Sequence, residues 1–427
     1  MSAAIRHGSL QSASSTRAAQ DCVYAPQRQE RGKWFYLGSF IFACILFWWL
    51  PSIFYRMVVH QSDAVESDTI AISIFALILF ISGYLLPVFG PPAHRFSPRR
   101  LDACGEFAYK ATVLIFLPAL AISVHLLYSR IGMDYGLGGA IPRPYQALLY
   151  THLFFGFLCV GVSEPEKQGW RRVLMTTAMV ILPRLIVSLH GGRFFLAQAV
   201  VPAVLIGVAR GWIRLSAKRM AQLAVLALVI IFVPALTRGD DVIGADDTIR
   251  FFAAGSSLRL FQDNTGLSLS GRCPPLIVSL TAKTIPYGWM GVCVIDIEGL
   301  KNMPATLDRI LTINDPSTLD GTVSGTGSNY LLDLYLFGGM FAVFAGSALL
   351  GFSCRRFMGW IGHRSLFSGI WAESLTRSLL APRGSLGYVY ERIPSLVLTT
   401  LLVVVVVAAG GLLKREYAPA PVEEVST

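Results

Sequence analysis

The chain has 427 residues, 54% of them hydrophobic and only 15% charged, against ~25% charged in an ordinary soluble domain. Its mean hydropathy is +0.56 and its formal net charge +10. A water-soluble fold cannot bury that much apolar side chain, and the same composition excludes a disordered or collagen-like chain. What remains is an all-α polytopic membrane protein.

The first 33 residues are rich in Ser, Ala and Arg. They read as a disordered cytoplasmic tail, although a mitochondrial transit segment has a similar composition. A helix needs ~20 mostly apolar residues to cross ~30 Å of hydrocarbon, because lipid satisfies no backbone polar group. Seven spans are expected between 34 and 236, at 34–54, 70–89, 107–127, 146–162, 173–189, 194–209 and 220–236. Residues 237–329 then form one large periplasmic loop, within which 276–294 reads as an interfacial or re-entrant helix. Three more spans are expected between 330 and 413, at 330–351, 365–382 and 393–413, before a cytoplasmic tail at 414–427. The ninth carries Glu373 and Arg377, which leaves open whether it crosses or lies flat on the surface.

Orientation follows from Lys and Arg in the short flanks. One side holds the basic tail, Arg95, Arg99 and Arg100, then Lys167, Arg171 and Arg172, the cluster Arg210–Arg219, Arg355, Arg356 and Arg364, and finally Lys414 and Arg415. The other side holds only scattered arginines such as Arg56, Arg130 and Arg143. Ten spans with both termini cytoplasmic fit that asymmetry, and the net positive charge calls for no nucleic acid. Of the seven cysteines, only Cys273 and Cys293 fall in the outer loop, where a disulfide is one of two open readings.

Chemistry concentrates in the segment from Ile181 to Arg193. Arg184 sits inside the fifth span, ~9 Å below the outer surface by helix rise. A cation at that depth costs several kcal/mol unless it faces a wet cavity or an anionic partner. Gly191 and Gly192 turn the chain, and Arg193 opens the next helix. Exposed N–H groups at such a start, with Arg193, make a cradle for phosphate or pyrophosphate. His190 between them suits a general base. The structural alternatives are a snorkelling Arg184, an interfacial anchor at Arg193 and a helix-capping His190. His60, His125 and His152 are further candidates by position alone.

Later in the chain, a Gly/Ser/Thr run ends at Ser328-Asn329-Tyr330, followed by Asp333 and Gly338-Gly339. This can leave donors for sugar hydroxyls; equally, Ser328 can cap a helix that carries Asp333 in its first turn, with Gly338 and Gly339 serving close helix packing. Arg250 and Arg272 in the loop could hold a glycan, while Arg377 and Arg383 beyond it approach the same outer face as Arg184 and Arg193 if the ninth helix crosses and are ordinary snorkelling residues if it lies flat. No acidic cluster calls for a metal, and no cofactor is expected.

The many-span plan with one large late outer loop, the Gly191-Gly192-Arg193 turn, the Gly325–Asn329 run entering Tyr330–Gly339 and the Arg383-Gly384 pair together resemble the Wzy-type O-antigen polymerases of bacterial inner membranes. That resemblance implies a metal-independent glycosyltransferase joining undecaprenyl-pyrophosphate-linked oligosaccharides at the periplasmic face. His190 is then a base, and Arg184 and Arg193 stabilise the pyrophosphate leaving group. Gly191, Gly192, Arg250, Arg272, Asn329, Tyr330, Asp333, Arg377 and Arg383 become substrate contacts. The lipid bilayer, a flippase and a chain-length regulator are the implied partners. An O-antigen ligase, another lipid-linked glycosyltransferase and a polysaccharide transporter are the rival readings.

Overall fold

The computed structural model describes residues 30–53, 66–87, 97–129, 142–189, 193–213, 329–383 and 393–416, with isolated positions between them such as Leu258 and Phe261. These residues are almost all helical, and no strand occurs among them. In chain order the helices are α1 (Glu30–Ile53), α2 (Ser67–Leu85), α3 (Pro98–Ser129), α4 (Arg143–Val162), α5 (Trp170–Ser188), α6 (Arg193–Ala209), α7 (Tyr330–Ile361), α8 (Ser368–Leu379) and α9 (Ile393–Glu416). Among them, five stretches are long and apolar enough to cross a membrane: α1, α2, α3, Pro144–Val162 and Gly338–Ile361. Most of the expected span at 220–236 and nearly all of the loop at 237–329 lie outside the described residues, as do Cys273 and Cys293.

Two blocks of helices make the bundle. In the first, α1 and α2 pack through stacked rings, Phe40 on Phe80 and Tyr36 on Tyr84, and α7 meets α2 with Phe344 edge to face on Phe75. Small residues let α2 and α7 approach backbone to backbone: a Cβ on Gly83 would overlap the Ala348 carbonyl, and one on Gly351 would overlap that of Phe80. In the second block α3, α4, α5 and α6 pack on one another, with Gly105 against Val162 and Gly156 against Val180. Helix α8 lies between the blocks, against α4, α6 and α7.

The helix ends need partners, because the last four carbonyls of a helix have none within it. Arg210, just past α6, supplies them for two helices at once. Its guanidinium donates to the carbonyls of Gly161 (2.6 Å), Ser163 (3.3 Å) and Val160 (3.5 Å) at the end of α4. It also reaches Ile361 O (3.3 Å), His363 O (2.9 Å) and Ser368 Oγ (3.1 Å), where α7 ends and α8 begins. Beside it Arg364 donates to Val162 O and pairs with Asp102 and Glu164. This node pins the common end of α4, α6 and α7, and a positive charge there suits the helix dipoles.

Two elements differ from a simple row of crossing helices. First, α7 is a hairpin rather than one rod. Its dihedral angles break at Gly338 and Gly339, and Gly339 has φ 61° and ψ −156°, a region open essentially to glycine alone. A Cβ on Gly346 would lie 2.5 Å from Leu334, and Tyr330 lies beside Ser347. In a straight helix those pairs would be ~18 Å and ~25 Å apart, so residues 330–337 double back along Gly338–Ile361. The long apolar helix is therefore Gly338–Ile361 rather than 330–351, and Gly338-Gly339 serve a reversal; the close packing is at Gly83 and Gly351. Second, α8 has 12 residues, ~18 Å of helix, which is less than the ~30 Å hydrocarbon layer. Nearly every one of its residues is buried. It neither lies exposed on a surface nor has the length to cross, and ends instead at a 3-10 turn, Ala381–Arg383.

Candidate functional site

The first polar locus surrounds Arg184. Helix α5 carries it ~21 Å from Trp170 by rise, and α5 packs on α3, α4 and α6. The side chain is only 1% exposed. Its guanidinium lies over two rings, Tyr150 at 4.8 Å and Phe195 at 5.4 Å, where the negative ring faces attract a cation. Apolar layers close both sides. Ala119, Leu126, Leu149 and Val187 form one; Leu153, Phe157, Val180 and Ala199 form the other. The described helices thus enclose Arg184 rather than leave it in an open cleft.

The histidine at this level is His152. Gly156 meets Val180 and Thr112, so one turn further along α4, α5 and α3 brings His152, Arg184 and Phe116 to a common height. His152 is 1% exposed and lies 6.1 Å from Phe116, ring to ring. Its Nε2 has no hydrogen-bond partner, and it feels the Arg184 charge. Sequence position alone placed His152 among several equivalent histidines. The signal that singles it out is the matched spacing of Gly156 to His152 and Val180 to Arg184, legible only once α4 and α5 are known to pack at Gly156.

A second locus is α8. Arg377 pairs with Glu373 at 2.9 Å, with side chains 3% and 9% exposed. The two lie four residues apart, so they meet on one helix face and neutralise each other inside the bundle. Glu373 is also the acidic residue of a small crevice lined by Phe154, Phe157, Leu158, Leu366, Ile370 and Leu396.

The third is the tip of the 330–337 arm. Asn329, rather than Ser328, caps it: its side-chain oxygen accepts from Leu331 N–H at 2.9 Å. Asn329, Tyr330 and Asp333 are all buried. The ring of Trp48 stacks on Tyr330 with centroids 5.7 Å apart, while its Nε1 donates to Pro382 O at 2.8 Å. Trp48 thereby joins the arm to the end of α8.

Of the other sequence candidates, Arg193 is the first residue of α6 and Arg383 closes the 3-10 turn. His190, Gly191, Gly192, Arg250 and Arg272 lie outside the described residues. The structure groups Asn329, Tyr330 and Asp333 on one arm, whereas Arg184 and Arg377 sit in separate environments, the first among aromatic rings and the second paired with Glu373. Among the described residues no group of three or more His, Cys, Asp or Glu comes together as metal ligands would. Cys44, Cys104, Cys159 and Cys354 are buried free thiols.

Comparison with known proteins returns no match among protein families, curated sequences or solved structures. The class defined by the fold is that of an all-helical chain with membrane-capable helices and polar side chains held inside its bundle.

Proposed function

We propose that this protein is a bacterial inner-membrane polysaccharide polymerase, joining undecaprenyl-pyrophosphate-linked oligosaccharide repeat units at the periplasmic face. The observation that carries this reading is Arg184, a cation 1% exposed inside an apolar bundle. Burying a cation costs several kcal/mol unless partners offset it, and the Tyr150 and Phe195 rings supply part of that offset while keeping the charge inside the bundle. The chemistry asks for that cation. The acceptor hydroxyl oxygen attacks the anomeric carbon, the bond to the pyrophosphate oxygen breaks, and the hydroxyl proton passes to a base. Charge grows on the leaving pyrophosphate, and preorganised positive groups stabilise it. In this reading Arg193 takes that role directly, with His190 as the base, and Arg184 adds its positive charge from inside the bundle. The 330–337 arm and the arginines of the large loop hold the glycan.

A glycan ladder tests it. The gene is deleted and complemented with wild type, Arg184→Ala or Arg193→Ala at equal protein level. Collapse of long surface polysaccharide to single repeat units, unrescued by either variant, is the expected result. Loss of all capped lipid A with intermediates left on the carrier would replace the polymerase with a ligase. An unchanged ladder in every strain would refute both.

One observation favours a second reading. Secondary transporters build mid-membrane sites from discontinuous helices, and the 330–337 arm and α8 are both too short to span. Transport of a lipid-linked glycan, without bond formation, is therefore the alternative, and its signature is loss of the ladder with only single repeat units left on the carrier, where a ligase deletion would leave polymer.

A further inference from the structure

The second block disposes of its buried polar side chains in two ways. Its hydroxyls return to their own helices. Thr112, Ser123 and Thr176 each donate to the carbonyl four residues back, and Ser188 to the one three back, at 2.7–2.9 Å. Two longer side chains do not. His152 is 1% exposed and its Nε2 has no partner, and Gln198 is 0% exposed with neither Oε1 nor Nε2 paired. Leaving a buried donor or acceptor unmade costs more than a typical hydrogen bond contributes, and buried polar atoms of folded proteins pair with protein groups or with ordered water.

Both residues share a level with Arg184. Along α4, His152 falls between Leu149 and Leu153; along α5, Arg184 falls between Val187 and Val180; along α6, Gln198 falls between Phe195 and Ala199. In each helix the first-named neighbour packs in one apolar layer and the second in the other. Three helices therefore each place a polar residue at the one level between the same two layers. We propose that this level of the bundle holds bound water, with His152 and Gln198 as its ligands. A neutral imidazole carries one N–H and one acceptor nitrogen, and an amide carries N–H donors and an acceptor oxygen. Water donates and accepts, so it satisfies both kinds at once; a metal cation meets only the acceptors and an anion only the donors. One water molecule needs ~10–15 Å³ and roughly two to four polar partners, so such a site asks for no large cavity. Water there also offsets part of the cost of burying the Arg184 charge. The site is independent of whether the chain is a polymerase or a transporter.

Radiolytic labelling reads internal water, because hydroxyl radicals formed from a bound molecule oxidise the side chain beside it. The full chain in lipid nanodiscs is exposed to a synchrotron X-ray beam, and oxidation is quantified residue by residue by mass spectrometry. His152 is the reporter. Phe40 and Phe80, 0% exposed and stacked on each other, are the dry controls in the first block. Phe157, buried in one of the apolar layers, is the control in the second. Wild-type His152 is expected to oxidise about tenfold faster than all three. Gln198→Met keeps the side-chain volume, removes both polar atoms and is expected to slow His152 oxidation about threefold. Oxidation of His152 at the control rate overturns the bound water. Equal oxidation of His152 and Phe157 overturns it too, since that marks opening of the whole block to bulk solvent. A His152 rate unmoved by Gln198→Met overturns the shared site. The wild-type comparison decides the matter by itself where the variant does not accumulate.

Discussion

Arg210 offers the sharpest test of how the bundle is held. Truncation to Ala removes the donor that now stands 2.6 Å from Gly161 O, 2.9 Å from His363 O and 3.1 Å from Ser368 Oγ, although Ser365 N–H and Ser368 Oγ–H still donate to the two carbonyls. Three further carbonyls at 3.3 to 3.5 Å lose weaker contacts. A hydrogen bond to a charged group contributes ~1.5–3 kcal/mol. Three close ones give ~4.5–9 kcal/mol, and water entering the vacated space at this helix end brings the expected loss to the low end, ~4 kcal/mol. For a chain of this length each kcal/mol moves the midpoint by about 1–2 °C. Arg210→Ala should therefore lower Tm by about 4–8 °C in a detergent thermal-stability assay followed by size-exclusion chromatography. Arg210→Lys should recover less than half, because an ammonium cannot reach carbonyls on two helices with a planar fork. A shift under about 1 °C for Ala, or full recovery by Lys, would refute the argument that one guanidinium closes both helix ends.

Other outcomes follow from the same packing. Arg184→Leu removes the guanidinium from over the Tyr150 and Phe195 rings and should cost ~1–2 kcal/mol of stability in the same thermal assay. It should also abolish polymer formation in the glycan ladder; a variant that keeps full activity would remove Arg184 from the chemistry. Gly351→Ala forces a methyl group into the Phe80 carbonyl and should cost ~1–3 kcal/mol, whereas Gly359→Ala, with open space around it, should be neutral or slightly stabilising in the same thermal assay. Removing one member of the Glu373–Arg377 pair should cost ~3–5 kcal/mol, and the double change Glu373→Met with Arg377→Leu should recover most of it. A double variant as unstable as the single ones would mean that the pair is held by something other than its own charge balance.

Much of the fold class was legible without coordinates. Hydropathy along the chain located α1 to α4 and the apolar part of α9, because an apolar run in lipid has little choice but to be helical. The sequence also marked Arg184 as an embedded charge and the Asn329–Asp333 stretch as a helix start, since both signals are local. The ninth segment was ambiguous for a physical reason: Glu373 and Arg377 look costly when counted singly and cheap once seen four residues apart on one face.

Tertiary structure alone decided the rest. Hydropathy sums residues along the chain and is blind to direction, so a helix that doubles back at Gly338-Gly339 reads the same as one that continues. The same blindness hid the role of Arg210, which looked like one more basic residue at a helix end until the ends of α4 and α7 were brought to it. His152 gained its place beside Arg184 from the meeting of Gly156 and Val180, and Trp48 gained its two partners from segments almost three hundred residues or more away. Composition sets what the chain must hide from water; which buried polar groups meet is set by helix packing, where a single glycine contact fixes the height of every side chain above it.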